Sequence, residues 1–173
     1  MDSLTTLEVF QREYAFGLLK NGNKHIRTTQ VETCVVWCGV DDERKVGFLF
    51  HIDWPCFTKD LPEKLDELLA LVKPNTKFNS FLWGGRKYCK SHRATRLAIR
   101  KIGRSITGAK FRIYEKGLSP MKKSGDGYMI DIESGIPNQC AGEKSIRTSK
   151  HDIWNDYRHI FSSNGLRKAP RSA

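Results

Sequence analysis

Between Leu68 and Ile113 the chain carries no aspartate and no glutamate. Other things are missing as well. No apolar run approaches 18 residues, and no charged n-region precedes an apolar signal core, so the expectation is a soluble, cytoplasmic protein with no membrane partner. Neither a phosphate-cradling P-loop nor a dinucleotide fingerprint occurs, and there is no serine-centred elbow. The zinc nucleobase deaminases need two cysteines three residues apart after a proline; Pro55 and Cys56 begin such a motif, but Lys59 stands where the second cysteine belongs. Internal repeats and low-complexity segments are absent. Cysteine is scarce and odd in number, five in all, without the spacing of a disulfide framework, which indicates a reducing compartment. Delivery into another cell as an effector is compatible with the same composition.

What is present suits one domain, residues 1–173: 173 residues suffice to bury about two-thirds of the unfolded surface. The organising stretch runs from Thr28 to Asp53. It reads as two apolar strands, Val31–Val40 and Val46–Ile52, joined by the polar turn Asp41–Lys45, and so short a turn makes them antiparallel. A turn centred between Asp42 and Glu43 sets Cys34 opposite His51, Val36 opposite Leu49 and Cys38 opposite Gly47. Opposed residues have Cβ atoms about 4.5–5.5 Å apart. One face then carries Val35, Trp37, Val46, Phe48, Phe50 and Ile52, a core face; the other carries Cys34, Val36, Cys38, Leu49 and His51. A hairpin apolar on both sides is covered on both sides.

A thiol beside an imidazole is the minimum for nucleophilic cysteine chemistry, and a neighbouring imidazolium raises the thiolate fraction. Singly, each residue has a plainer reading. A cysteine on an apolar strand is usually an inert small core residue, and a histidine there is usually a satisfied core histidine. A nucleophilic Cys34 is expected to alkylate ahead of Cys38, Cys56, Cys89 and Cys140.

The spacing of Thr28, Cys34 and His51, with five and then sixteen residues between them, resembles the chemotaxis receptor glutamine deamidase CheD and, more distantly, the catalytic domain of cytotoxic necrotizing factor and related glutamine-deamidating toxins. The likeness continues through the acidic turn at Asp41–Asp42, the strand and Gly-Gly of Phe81–Gly85, a following helix, and the segments KFRIYEKG and GYMIDIESG, covering roughly Ile26 to Gly135. Two features differ: Glu32 and Thr33 precede Cys34 where the family has Gly-Ser, and the Gly-x-x-Asn after the family's Gly-Gly is missing. The resemblance implies a layered α/β sandwich with a largely antiparallel or mixed sheet. It also implies a cysteine-dependent protein glutamine deamidase that needs no metal or cofactor, with Cys34 as nucleophile, His51 as base and Thr28 orienting His51. The substrate is then a protein with an accessible glutamine. Transglutamination and proteolysis pass through the same acyl-cysteine. In a straight strand Thr28 would lie about 20 Å from Cys34, at about 3.3 Å per residue, and no glycine or proline between them marks a bend.

The remaining elements follow from periodicity. Residues 1–22 read either as a helix, with a Thr5/Glu8 capping box and Leu7, Phe10, Tyr14 and Leu18 on one face, or as an extended arm packed on the sheet. Asp60 and Glu63 form a second capping box before the stripe Leu61, Leu65, Leu68, Leu69 and Val72, which ends before Pro74. Phe78–Trp83 is a strand, and Gly84–Gly85 a turn where one backbone can approach another. Lys110–Tyr114 and Tyr128–Ile132 are strands joined by the loop Lys116–Gly127; Gly135–Ser145 is loop; Ile153, Trp154, Tyr157, Ile160 and Phe161 space as a final helix capped near Ser149; residues 166–173 are a loose basic tail.

Most of the net charge of +11 comes from the acid-free stretch. A helix from Ser91 to Gly103 is expected to turn Ala94, Leu97, Ala98 and Ile102 inward and to cluster Arg93, Arg96, Arg100 and Arg104 on a separate face, with Lys87, Lys90 and Lys101 nearby. That is either a solvated face or a docking surface for an acidic protein or nucleic acid. The helix has no interleaved aromatics, which favours an acidic protein over base stacking. A non-enzymatic basic binding module is therefore the alternative to the deamidase. Cys34 and Cys38 with Cys89 and His92 have a spacing imaginable for zinc, though a strand and a helix start would have to converge.

Overall fold

A computed structural model describes residues 5–31, 34–41, 43, 45–86, 89–115, 126–141 and 165–169. The expected final helix and most of the loop after Lys116 lie outside these residues. Among the described residues ten strands form two mixed sheets, with two α-helices, so the molecule is an α/β sandwich. In chain order the strands are β1 (Thr6–Glu8), β2 (Glu13–Leu18), β3 (His25–Val31), β4 (Val35–Asp41), β5 (Val46–Ile52), β6 (Thr76–Gly84), β7 (Ala109–Glu115), β8 (Asp126–Asp131), β9 (Pro137–Ala141) and β10 (Arg167–Lys168). The helices are α1 (Leu61–Leu69) and α2 (Lys90–Ser105). One sheet has the order β1-β3-β8-β9, the other β10-β2-β5-β4-β6-β7. No helix among the described residues is long and apolar enough to cross a membrane.

The β4–β5 hairpin sits at the centre because both its faces are apolar. Val35, Trp37, Val46, Phe48, Phe50 and Ile52 join Leu61, Leu65, Leu68 and Ile99 in a core between the six-stranded sheet and the helices. Val36, Cys38, Val40 and Leu49 join Ile26, Tyr128 and Ile130 in a second core between the two sheets. The three layers therefore run helices, large sheet, small sheet.

The hairpin register differs from the expected one by two residues. Val36, not Cys34, stands opposite His51, and Asp41 pairs with Val46. The turn is a four-residue loop. The Asp41 carboxylate accepts the Glu43 N–H at 3.1 Å, Lys45 adopts a left-handed φ of 54°, and its N–H returns to the Asp41 carbonyl at 2.9 Å. Moving the turn centre by one residue moves every pairing by two, so the side chains keep their faces.

Of the two readings of the opening segment the extended one holds, with β1 paired with β3 and β2 with β5, and three other expectations change. Every residue of β2 from Glu13 to Gly17 is buried, which a one-sided helix could not achieve. Pro137–Ala141, expected as loop, is β9, paired with β8 at the sheet edge where proline is tolerated. Asp60 makes no side-chain cap on α1; its carboxylate instead accepts the Leu166 N–H at 2.9 Å. The tail is accordingly not loose at its start. Leu166 is buried, and Arg167 and Lys168 pair in parallel with Glu13 and Tyr14.

Candidate active site

The bend that brings Thr28 to His51 is a change of sheet. β3 belongs to the four-stranded sheet and β4 to the six-stranded one, so the chain crosses between layers just before Cys34. The pairing of β3 with β8 also shifts register between Thr28 and Val31, an irregularity that turns a strand without glycine or proline. Thr28 is fully buried, and its Oγ1 lies 2.7 Å from His51 Nδ1, joining the two sheets by a hydrogen bond. Cys34 is buried in the inter-sheet core with Val36, Leu49 and Trp83. With Val36 opposite His51, Cys34 is the diagonal neighbour of His51. Diagonal neighbours in a regular sheet lie about 7–8 Å apart, with Cβ atoms somewhat closer, within reach of long side chains.

His51 is held from below by a network that the sequence did not reveal. The Arg12 N–H donates to the His51 carbonyl at 2.8 Å, and Arg12 Nε donates to Asp53 Oδ2 at 2.7 Å, a carboxylate that also accepts from Gln11. Burial pushes the His51 imidazole down to about 4, against the smaller opposing pull of Asp53, Glu13 and the Val9 backbone. His51 is therefore neutral at neutral pH, as a base must be. Its Nε2 is buried and makes no hydrogen bond of ordinary geometry among the described residues, though the Val9 backbone lies near enough to the ring to raise its pKa slightly. A neutral imidazole held at Nδ1 by Thr28 can act as a general base through Nε2 in the tautomer that places the proton on Nδ1.

The Gly84–Gly85 turn closes on the thiol's own backbone. The Gly85 N–H donates to the Cys34 carbonyl at 2.8 Å. Gly84 has φ 76°, and a Cβ there would collide with that same carbonyl oxygen. This N–H is committed and cannot serve as an oxyanion donor. Behind the turn, Arg96 Nη1 donates to the Gly84 carbonyl at 2.9 Å and Nη2 to the Leu82 carbonyl at 3.2 Å, with Glu115 as counter-charge at 3.3 Å.

That placement corrects the arginine face. Arg96 is buried; Arg100 is half-buried and paired with Glu115 at 3.1 Å; Arg93 and Arg104 are exposed. The buried residues of α2 are His92, Thr95, Arg96, Ile99 and Gly103, whereas Ala94 is exposed and Leu97 is 48% exposed. Two physical reasons rotate the helix. The Gly-Gly turn presents carbonyls that only a buried donor can satisfy, and Gly103 lets α2 approach until a Cβ there would meet the Ile113 side chain at 3.1 Å.

The other cysteines separate by environment. Burial pushes Cys38 up to about 12, so it is an inert core thiol. Cys89, half-exposed at the start of α2, shares a 2.9 Å hydrogen bond with Ser91 Oγ. That bond, with the backbone of His92 and Ser91 and the charge of Arg86, lowers its pKa. Simple alkylation will thus find Cys89 and exposed Cys56 before buried Cys34, contrary to the order expected above. The zinc arrangement does not form: His92 Nδ1 accepts the Arg86 N–H at 2.8 Å, and no three metal-capable side chains converge among the described residues. No protein-family model matches the chain, and no curated protein matches it.

Proposed function

We propose that this protein is a cysteine-dependent protein glutamine amidohydrolase of the CheD and necrotizing-factor kind. The observation that carries the reading is the Thr28–His51 hydrogen bond of 2.7 Å across two sheets, which fixes Nδ1 and leaves the buried Nε2 on the sheet face that also holds Cys34. In the working tautomer Nδ1–H donates to Thr28 Oγ1 and Nε2 carries the lone pair. As a glutamine carboxamide enters, Nε2 takes the Cys34 thiol proton while Sγ bonds to the amide carbon. The tetrahedral intermediate collapses with cleavage of the C–N bond, and the imidazolium gives its proton to the nitrogen, releasing ammonia. Water then gives a proton to His51 as its oxygen attacks the thioester. Glutamate leaves and the thiol is restored. No step calls for a metal or cofactor.

Because His51 is neutral at rest, thiolate forms only as the substrate excludes water, which limits side reactions of Cys34. The substrate is a protein with an accessible glutamine and an acidic surface, and the compartment is reducing, as the five thiols suggest. Arg93 and Arg104 are exposed on α2, whereas Arg96 and Arg100 are engaged with Glu115, and Arg96 also with backbone carbonyls. A purely basic binding module built on four α2 arginines therefore loses half its residues.

The test is incubation with acidic candidate proteins while free ammonia and substrate mass are followed. Ammonia should appear with a one-dalton gain per site. Both should vanish in Cys34→Ser and His51→Asn and fall by about 10²–10⁴-fold in Thr28→Ala, the usual worth of a positioned general base. Hydroxylamine should trap the thioester as a modified glutamine. Chain cleavage without mass gain would replace the amidase by a protease, and turnover that survives Cys34→Ser would remove the cysteine mechanism.

A further inference from the structure

We propose that the face of the six-stranded sheet formed by β6 and β7 binds single-stranded nucleic acid. Alternation sorts the side chains of these two strands. Phe78, Leu82, Phe111 and Ile113 pack into the helix-side core. The residues between them face the other way, and the parallel register sets them in three rows: Lys77 beside Lys110, Asn79 beside Arg112, Phe81 beside Tyr114. On this side the four-stranded sheet reaches as far as Trp83, whose ring meets Tyr128 of β8 at 4.6 Å. Past that contact no other described strand covers β6 and β7 on this side. Lys77, Lys110 and Arg112 are exposed, and Tyr114 is 43% exposed.

The chemistry of this face fits bases and phosphates together. The Phe81 and Tyr114 rings are stacked at 5.4 Å and 22°, and the Arg112 guanidinium lies 5.9 Å from the Tyr114 centroid. The cations lie along one side of this aromatic pair, and β6 has no acidic residue. The one acid of β7, Glu115, is turned to the helix side and held by Arg96 and Arg100. A half-exposed tyrosine, backed by a second ring and set beside a row of exposed cations, is a combination that sequence-tolerant single-strand binding uses: the ring stacks on a base while the cations track the backbone. A duplex does not offer its base faces, and an acidic peptide would be held by the cations without needing Tyr114. The α2 arginines lie on the opposite side of the sheet and have no aromatic among them. This binding is independent of Cys34.

The experiment titrates a fluorescein-labelled, single-stranded oligonucleotide of about 20 nucleotides with the full chain and reads anisotropy at several salt concentrations. Affinity should fall linearly in log–log form with salt, and Lys110→Gln with Arg112→Gln should reduce the slope by about 1.4, two contacts at ~0.7 each. Tyr114→Ala should weaken binding by about 5- to 100-fold with the slope unchanged, since one stacked base is lost. Arg93→Gln with Arg104→Gln should stay within about twofold of wild type on the affinity scale where Tyr114→Ala shows its loss. Cys34→Ser should bind as wild type does. All these side chains but Cys34 are exposed, so melting by circular dichroism should confirm that the variants fold. The proposal is overturned if no binding occurs at low salt, if Tyr114→Ala binds as tightly as wild type, if the helix-face variant loses as much as the sheet-face variants, or if a duplex or polyglutamate of equal charge competes as well as the single strand.

Discussion

His51 is the residue on which stability and chemistry meet. Burial holds its folded pKa at about 4, below the ordinary 6.5, so between those values the unfolded chain binds the proton that the folded chain refuses. Stability must then rise with pH through this window, and acidification from 6.5 towards 4 should cost up to about 3 kcal/mol from this group alone. Urea midpoints at pH 7.5, 6 and 4.5 would show it, with His51→Gln losing that part of the pH slope. His92 is also shifted down by burial, but it is present in both proteins and cancels from the difference. An undiminished acid sensitivity in His51→Gln would mean that the proton enters elsewhere. The same depression bears on the proposed reaction. An amidase whose base stays neutral to low pH should keep the acid limb of kcat/KM well below 6, where protonation of His51 sets it.

At the scale of elements, much of the site was legible because side-chain alternation survives errors of register. The two faces of the hairpin, and the placing of Cys34 and His51 on one of them, follow from apolar spacing alone. The pairing itself does not, because a turn held by Asp41 and a left-handed Lys45 has no strong sequence signal. Thr28 could not be placed by local reasoning at all: its contact depends on a change of sheet, which is a tertiary event. The helix-or-strand choice for residues 5–18 was open for the same reason, since a strand buried on both faces has no clean period of two. Arg96 was misplaced because a charge pattern cannot show that backbone carbonyls are waiting across the core. The Gly84–Gly85 turn was the one backbone feature that the letters did announce. Gly84→Ala should therefore perturb the site more than any ordinary left-handed glycine. Gly22 has φ 83° with nothing near its Cβ position, so Gly22→Ala carries only the conformational cost, about 1–2 kcal/mol. Gly84→Ala adds a backbone collision with Cys34 and should cost at least about 1 kcal/mol more. Equal denaturation midpoints for the two variants would show that the turn can yield without disturbing Cys34.

Across the whole molecule, distant parts of the chain are joined at one sheet edge, beside the network that supports His51. Arg12 and Glu13 are neighbours on the segment under His51. Arg12 is spent on Asp53, and Glu13, a carboxylate whose side chain is fully buried, meets Arg167 Nη2 at 2.6 Å and Nε at 2.8 Å. Its other oxygen accepts the Phe10 N–H at 2.9 Å. The strand that supplies Arg167 is short, but it is fixed three times more: the Leu166 N–H donates to Asp60 before α1, the Arg167 N–H to the Arg12 carbonyl at 3.0 Å, and the Ala169 N–H to the Tyr14 carbonyl at 2.8 Å. Arg167→Ala leaves Glu13 buried without this guanidinium. Because Arg167 is itself 35% exposed and water can enter in its place, the expected loss is about 1–3 kcal/mol, not the larger cost of breaking a fully buried pair. Arg167→Lys should recover part of it, as an ammonium restores the charge but not the two-pronged geometry. Both are measured by chemical denaturation at neutral pH, with His51 accessibility followed by diethyl pyrocarbonate. If the edge supports the site, Arg167→Ala should also speed modification of His51, because loosening β10 loosens β2 and with it the Arg12 N–H that holds the His51 carbonyl. Lost stability with unchanged His51 protection would confine β10 to closing the edge and separate it from the chemistry.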